Sequence, residues 1–506
     1  MHASAISPHP QRRRLATAWA AIALVATACG STAPSTSSAP AGSTAPSQAA
    51  PSTAEASPSL VAITPAPVGA VGPNGGSVVR WFIGLGAGAQ PQQIAAERTF
   101  ADTFNNSQKE IYLSTEIEDN KVAKDILQTQ IAAGNPPDII GPVGVEGLNL
   151  FRDQLLDLSS LVQSQNFDLS KVDPKLVDFW KMGTGGAMIG VPYAVYPSYL
   201  WYNKALFDEA KLPYPPTKIG DTYRGKPWDM NALQDLAMKL TVDKNGNDAT
   251  SPSFDANNVV QWGFDMQYTD NSPIAESTLF GANLPIAADG KTADIPAPLS
   301  TGAHWWYDGV WKGHFIPTNT QVNSDLLSKG SEFASGNLAM MEGHTWFTCC
   351  VWPAAPAKPV VKDFGWAVPP AYNGTTTAKL HADTFSIMKG SKHPDLAFKA
   401  LAAMVDSNEL LVDYGAFAAN ADKRQSFIDA IDAQFEGIKL DWSVPETTLG
   451  YPDIPNHQGY VPNYGKAKAA LQAFWNKYRT QDGLDVDAEL NTLKSTLQSI
   501  YDGGGA

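Results

Sequence analysis

The chain has 506 residues, of which 43% are hydrophobic, and its formal net charge is −14. This length is sufficient for a large core and at least two domains. The acidic balance argues against a nucleic-acid partner and against electrostatic attachment to anionic lipid.

The first 28 residues have the pattern of a secretory signal. Arg12, Arg13 and Arg14 precede an apolar run over residues 15–28, which is shorter than the roughly 20 residues of a membrane-spanning helix. Small residues stand directly before Cys29, as in a bacterial lipoprotein signal, although Ala26 replaces the preferred leucine. We predict that residues 1–28 are removed and that Cys29 is lipidated, with ordinary secretion and a free Cys29 as the alternative.

Residues 29–76 are predicted to be a disordered tether. The stretch is nearly all Ser, Thr, Ala and Pro, and Glu55 is the one charged residue in it. Such a composition cannot bury enough apolar surface to offset the entropy lost on ordering. A tether after a lipidated cysteine would hold a folded domain outside the cytoplasm at the membrane surface, and we predict that localisation.

Strands and helices alternate at the start of the folded part. Residues 77–85 form an apolar strand pattern, residues 92–104 have helical spacing, and residues 111–118 alternate like a second strand. A helix over residues 121–134 and a strand over residues 137–144 follow. This order predicts βαβ units in a mainly parallel sheet, with ligands at the carboxyl ends of the strands.

The second half of the chain is rich in loops and aromatic residues. Helical patterns cover residues 230–240, 303–311, 394–405, 466–478 and 486–501. No internal repeat of 20–50 residues is visible in the sequence.

Two motifs resemble cofactor or metal sites but fail in detail. Gly84, Gly86 and Gly88 follow a strand, yet their spacing is GxGxG and meets neither phosphate-binding fingerprint. We expect these glycines to let backbone amides approach another ligand. The stretch from Asp243 to Asp248 has the oxygen spacing of a calcium loop, but it lacks the glycine and the final glutamate. A surface Asn-Gly turn is the favoured interpretation, and no cofactor or metal is predicted.

Several stretches, in order, resemble bacterial extracellular solute-binding proteins of family 1, the sugar-type lipoproteins of ABC importers. The most specific is "GAMIGVPYAVYPSYLWYNKALFDEAKLPYPPT" over residues 186–217. The others are "AAGNPPDIIGPV" (132–143), "FASGNLAMMEGHTWF" (333–347), "FGWAVPP" (364–370) and "HADTFSIMKGSKHPDLAFKALAAMV" (381–405). The similarity extends over almost the whole folded part.

The resemblance implies an α/β fold of two lobes, joined by crossover strands, with a ligand cleft between them. Residues 77–192 and about 381–430 are expected in lobe 1, and residues 193–380 and 431–506 in lobe 2. The implied function is non-enzymatic: capture of a carbohydrate and its delivery to ABC permease subunits.

The resemblance also implies which residues bind the ligand. Trp346 stands where the family places a ring that stacks on a sugar, with a buried core position as the alternative. Gly343 and His344 form the turn before it, and His344 either donates to a hydroxyl or is structural. The remaining candidates are Tyr193 and Tyr196 on the crossover strand, Gln90, Asp383 and Tyr464. Tyr199, Tyr202, Trp305 and Trp306 are expected to pack in the interior.

Cys349 and Cys350 are adjacent and follow Trp346 closely. Because the compartment is oxidising, we predict a vicinal disulfide that fixes the ligand site, with a buried reduced pair as the alternative. A zinc site is not expected, because His344 alone does not complete a tetrahedron.

Two other functions remain open. A surface-anchored glycoside hydrolase would also have an aromatic cleft, but it needs two carboxylates held close together with separated pKa values, and we identify no such catalytic pair in the matching motifs. The same fold could bind a polyol phosphate or a polyamine. A phosphate calls for Arg or Lys in the cleft and a polyamine for several carboxylates.

Overall fold

The computed structural model describes residue 67 and residues 69–267, 272–351, 358–435 and 437–503, except for the side chains of Gln92 and Cys349. The predicted signal, Cys29 and nearly all of the predicted tether lie outside these residues. Within them, no helix combines the length and the apolar character needed to cross a membrane.

The strands are numbered in chain order. They are β1 (Ser77–Ile83), β2 (Ile111–Ile117), β3 (Ile139–Gly144), β4 (Ala194–Pro197), β5 (Tyr199–Asn203), β6 (Thr222–Tyr223), β7 (Lys226–Pro227), β8 (Val242–Asp243), β9 (Val259–Met266), β10 (Leu338–Gly343), β11 (Phe364–Ala367), β12 (Ala371–Tyr372), β13 (Thr375–Thr376), β14 (Leu380–Ile387) and β15 (Phe417–Ala418).

The α-helices are α1 (Pro91–Ser107), α2 (Asn120–Ala132), α3 (Val145–Phe151), α4 (Ser159–Ser164), α5 (Pro174–Phe179), α6 (Lys204–Ala210), α7 (Met230–Leu240), α8 (Pro273–Ser277), α9 (Ala297–Trp311), α10 (Asn319–Val322), α11 (Thr348–Val351), α12 (Pro394–Asp406), α13 (Asn408–Asp413), α14 (Arg424–Gln434), α15 (Ser443–Thr448), α16 (Tyr464–Thr480) and α17 (Val486–Tyr501).

The first sheet has the strand order β15-β4-β14-β3-β1-β2. Its β2-β1-β3 part is parallel, as predicted, whereas β14 runs antiparallel to both β3 and β4. The prediction of a mainly parallel sheet is therefore wrong for the other half. The chain reaches β14 from the second sheet, and β14 runs in the direction opposite to that of β3.

The second sheet has the order β11-β5-β10-β9-β8. Its centre is a dense aromatic core, because Trp201 of β5 packs against Phe364 at 5.2 Å and Trp366 at 5.3 Å between ring centroids. Helices α8, α9, α16 and α17 pack against one another beside this sheet. Trp305 and Trp306 of α9 both pack on Phe264 of β9, as expected of core residues.

Three segments of the described chain cross between the two sheets, and they are bonded to one another. Ser198 joins β4 to β5, and its backbone N–H donates to the Lys379 carbonyl just before β14 (2.8 Å). Ala378 in turn exchanges backbone hydrogen bonds with Tyr451 and Asp453 at 2.8 and 3.0 Å. The third segment, which contains those two residues, leads from α15 into α16. These crossovers join two lobes, as the resemblance implies.

The predicted helices are present, with ends shifted by a few residues. Strand β4 belongs to the first sheet, however, so that sheet extends beyond the expected lobe boundary at residue 192. Helix α14 spans the second expected boundary at residue 430. It packs on β15 and α13 and therefore belongs with the first sheet along its length. The exact division of the chain between lobes stays a prediction.

Candidate functional site

The predicted turn at the end of β10 presents an aromatic ring. Gly343 ends the strand, and a Cβ at this position would lie 2.9 Å from Met341 Cε and 3.1 Å from Gln267 Oε1. His344 follows, and its Nδ1 lies 2.9 Å from the Tyr196 carbonyl oxygen. Trp346 then lies in a single 3₁₀ turn with its ring only partly buried. The turn therefore fixes the Trp346 ring at a place where solvent still reaches it.

Trp346 is the centre of a set of rings that we call the aromatic–histidine cluster: Tyr196, His344, Trp346, His381 and His457. The Trp346 ring centroid lies 4.2 Å from that of His344, 4.8 Å from that of His381 and 4.9 Å from that of Tyr196. The His344 ring is buried, whereas His381 is only partly so. The structure thus brings four of the predicted residues, Gly343, His344, Trp346 and Tyr196, to one place.

His381 and His457 were not predicted. Nε2 of His381 lies 3.1 Å from Nε2 of His457, whose Nδ1 lies 2.7 Å from a buried Asp453 carboxylate. This contact requires an N–H on one imidazole and a lone pair on the other. The sequence did contain a signal for His381, because it stands two residues before Asp383 and therefore on the same face of β14.

Asp383 lies between β3 and β4, opposite Gly144 and Ala194 in the sheet register. Burial of its carboxyl raises the pKa of Asp383 to about 7. Burial, and then the charge of Asp383, raise the pKa values of the Tyr193 and Tyr196 hydroxyls. The three side chains are therefore electrostatic neighbours.

Three buried polar atoms here have no hydrogen-bond partner among the described residues: Tyr193 Oη, Thr345 Oγ1 and Trp346 Nε1. A buried polar group without a partner is costly, about 1–3 kcal/mol each. Two of them belong to predicted ligand-binding residues. A ligand hydroxyl is a suitable partner for each of these atoms, since it both donates and accepts.

Tyr464 begins α16, and its hydroxyl donates to the Gln458 carbonyl at 3.1 Å. Tyr464 and His457 line a cavity of about 210 Å³, so His457 connects this cavity with the aromatic–histidine cluster. Glu146 of α3 and Lys468 of α16 also line the cavity and form an ion pair across it. The cavity thus lies where helices from the two lobes meet.

Gln90 has the contacts of a helix cap. It stands before α1 with an exposed side chain, and its backbone N–H donates to Gln93 Oε1 at 3.3 Å. The structure does not bring it into contact with the cluster, and its ligand-binding role stays a prediction.

The glycine loop before Gln90 is closely packed against neighbouring protein atoms. A Cβ at Gly86 would lie 2.7 Å from the Pro142 carbonyl oxygen. One at Gly88 would lie 2.4 Å from Glu97 Oε1. Packing alone therefore accounts for glycine at both positions, and the approach of the backbone amides to a ligand stays a prediction.

The calcium-like loop is a turn held by its own hydrogen bonds. The Asp243 carboxylate accepts from the backbone N–H groups of Asn245, Asn247 and Asp255 at 2.8–3.0 Å and from Asn247 Nδ2 at 3.0 Å. Burial raises the pKa of Asp243, but these bonds outweigh it and lower the pKa to about 2. No group of His, Cys, Asp or Glu among the described residues is arranged to hold a metal ion.

Cys350 is disulfide-bonded in the structure, which disagrees with a reduced pair. The side chains of Cys29 and Cys349 lie outside the described residues, so the bond to Cys349 stays a prediction.

Comparison with known proteins identifies the relatives of this chain. The sequence profile described as bacterial extracellular solute-binding protein matches residues 85–407. No curated protein sequence matches the chain significantly.

Solved structures share its fold at low identity. UspC of Mycobacterium tuberculosis matches with a TM-score of 0.62 and 20% identity, covering 84% of this chain and 100% of its own. Lmo0181 of Listeria monocytogenes, an ABC substrate-binding protein in complex with cycloalternan, matches with a TM-score of 0.62, 18% identity and 85% and 99% coverage. MalE of Bdellovibrio bacteriovorus, bound to maltotriose, matches with a TM-score of 0.56, 17% identity and 83% and 99% coverage.

Proposed function

Because this chain belongs to the bacterial extracellular solute-binding protein family, we propose that it captures a carbohydrate in the cleft between its lobes. It then delivers this ligand to the permease of an ABC importer. The proposal includes no catalytic step, and a glycan that binds is expected to keep its mass.

The observation that carries the proposal is the partly buried Trp346 ring beside buried polar atoms without partners. A sugar has an apolar face of C–H groups and a periphery of hydroxyls. The Trp346 ring offers a flat apolar surface for the first. Tyr193 Oη, Thr345 Oγ1 and Trp346 Nε1 offer hydrogen bonds for the second.

Charge also favours a neutral ligand over a phosphate at the aromatic–histidine cluster. The cluster contains no lysine or arginine, the residues that usually hold a phosphate, and the neighbouring Asp383 carboxyl repels an anion to the extent that it is ionised. The one lysine buried close to the crossover, Lys379, lies 3.0 Å from Glu342, which neutralises it.

Removal of the Trp346 ring tests the proposal. The mature chain is screened by thermal shift against malto-oligosaccharides, cyclic glucans, monosaccharides, polyol phosphates and polyamines. A micromolar binder at millimolar concentration stabilises the native state by about 4 kcal/mol. Trp346→Ala is expected to lower sugar affinity at least about tenfold, which corresponds to about 1.4 kcal/mol.

The conservative variant Trp346→Phe keeps a ring and is expected to retain most of the affinity. An affinity unchanged in Trp346→Ala would contradict the placement of the ligand. A response to phosphates or polyamines without any response to sugars would contradict the choice of ligand.

The same proposal places the protein at the outer face of the cell membrane through a lipid on Cys29. A Cys29→Ser variant is expected to leave the membrane fraction and to appear in the medium.

A further inference from the structure

A second and larger cavity, of about 590 Å³, lies in the part of the molecule built around the second sheet. None of the residues of the aromatic–histidine cluster lines it. Its volume falls within the roughly 300–1,000 Å³ of small-molecule sites. The lining includes Asp265, Glu276, Glu332 and Arg479, together with the less polar Met266 and Trp475.

Two of the three acidic side chains already have partners. Both oxygens of Asp265 lie 3.0 Å from Arg479 Nη2. Glu276 accepts hydrogen bonds from the Tyr478 hydroxyl and from Trp475 Nε1, the latter at 2.8 Å. The Arg479 guanidinium thus bonds Asp265 through Nη2, and its Nη1 lies 3.6 Å from Glu276, while Nε and Nη1 have no hydrogen-bond partner among the described residues.

Glu332 is the third acid, and it is different. It is only 3% exposed and lines the cavity, yet no other side chain in the described part of the chain bonds its carboxyl. The hydrogen bond it receives comes from its own backbone amide. Lys329 lines the same cavity, but its ammonium is largely exposed and lies 3.2 Å from Asp325. The cavity therefore holds more carboxyl groups than cations.

Burial, followed by the charge of Asp265, raises the pKa of Glu332 to about 8. Burial likewise raises the pKa of Glu276 to about 7. Burial outweighs the attraction of the nearby Arg479 charge, so Glu332 keeps its proton at pH 7 in the empty cavity. A cation in the cavity would favour the ionised form instead.

We propose that this cavity binds the protonated amine of a small solute, with Glu332 as its counter-charge. An ammonium group has three N–H donors. One can donate to Glu332, and the others can donate to further acceptors on the protein or on the solute. The apolar surfaces of Met266 and Trp475 are suited to contact with the carbon skeleton of the solute. A metal ion fits less well, because the described carboxyl groups are not arranged as a set of ligands. The site does not depend on sugar binding at Trp346.

The test uses glucosamine and its β-1,4-linked disaccharide, with glucose and cellobiose as neutral sugars of the same shape. Binding is measured by titration calorimetry on the mature chain. We expect the amines to bind at least tenfold more tightly than the neutral sugars. We also expect roughly one proton to be released per amine bound at pH 7, measured from the dependence of the heat on the buffer.

Glu332→Gln keeps the size of the side chain and removes its charge. It is expected to abolish the preference for amines and the proton release, while Trp346→Ala retains both. Glu110→Gln, at an exposed lysine pair, removes the same charge elsewhere and is expected to change nothing. Amine binding that survives Glu332→Gln, that disappears in Trp346→Ala, or that is absent from the native chain would overturn the proposal.

Discussion

At the scale of single residues, two tyrosines allow the ligand role to be separated from packing. Tyr193 and Tyr199 both have buried hydroxyl oxygens without partners among the described residues. Only Tyr193 lies close to Asp383, whereas Tyr199 packs on Trp201 and Trp366. Both positions therefore have a buried hydroxyl without a hydrogen-bond partner, but only that of Tyr193 lies near the candidate site.

If the Tyr193 hydroxyl bonds the ligand, as we propose, Tyr193→Phe should lower ligand affinity about tenfold. The stability of the free protein should stay within a few tenths of a kcal/mol, since removal of an unpaired polar group is nearly neutral. Tyr199→Phe is the matched control and should change neither quantity. Equal affinities for the native chain and Tyr193→Phe would place the hydroxyl outside the site.

At this scale, part of the candidate site was predictable from the sequence. The motif around Trp346 indicated the ring and its turn, because they are adjacent in the chain. His457 could not be found in this way, since a loop more than 70 residues away brings it to His381. The Glu332 carboxyl was missed for a similar reason: the residues that complete its cavity, such as Glu276 and Arg479, lie far from it in sequence.

At the scale of elements, helix α1 carries an acid in the core beneath the first sheet. Glu97 is fully buried, and its Oε1 accepts a hydrogen bond from the Tyr414 hydroxyl at 2.8 Å. Burial, only partly offset by this bond, raises the pKa of Glu97 to about 8 from 4.5. The folded protein therefore holds this proton over a range of pH in which the unfolded chain has lost it.

The sign of the pH dependence follows directly. The stabilisation is fully present below pH 4.5 and is lost as pH rises towards 8, at up to about 1.4 kcal/mol per pH unit. The free energy of unfolding is measured with urea for the native chain and for Glu97→Gln. Between pH 5 and 8 the native chain should lose stability relative to the variant. Glu110→Gln should show no such trend. A constant difference between the native chain and Glu97→Gln would refute the raised pKa.

Local patterns predicted the helices well, because a helix is defined by neighbours along the chain. Strand directions were predicted less well. Strands β5, β14 and β15 pair with partners from distant parts of the sequence, and nothing in their local pattern indicates antiparallel pairing. Both lobes were nevertheless anticipated from the family resemblance.

At the scale of the whole molecule, a buried ion pair lies beside the crossovers. Lys379 Nζ lies 3.0 Å from Glu342 Oε2, and both side chains are fully buried. Lys379→Met would leave the Glu342 carboxylate without this charge, and we expect a loss of about 3–5 kcal/mol in the free energy of unfolding.

The double variant Lys379→Met with Glu342→Leu should recover a large part of that loss, because no buried charge remains. Lys204→Met, at the more exposed pair with Asp363, should cost no more than about 1 kcal/mol. A double variant as unstable as the single one would show that packing, and not charge, explains the effect.

The bonds among the three crossing segments have a kinematic consequence. Ser198, Ala378 and Tyr451 are tied together at one place by backbone hydrogen bonds, so the lobes share one short pivot. Rotation about this pivot preserves these bonds better than twisting or sliding of the lobes would. We therefore expect the lobes to open and close mainly by one rotation about the crossovers. The distance between two reporter dyes, one on each lobe, should describe this motion as a single coordinate.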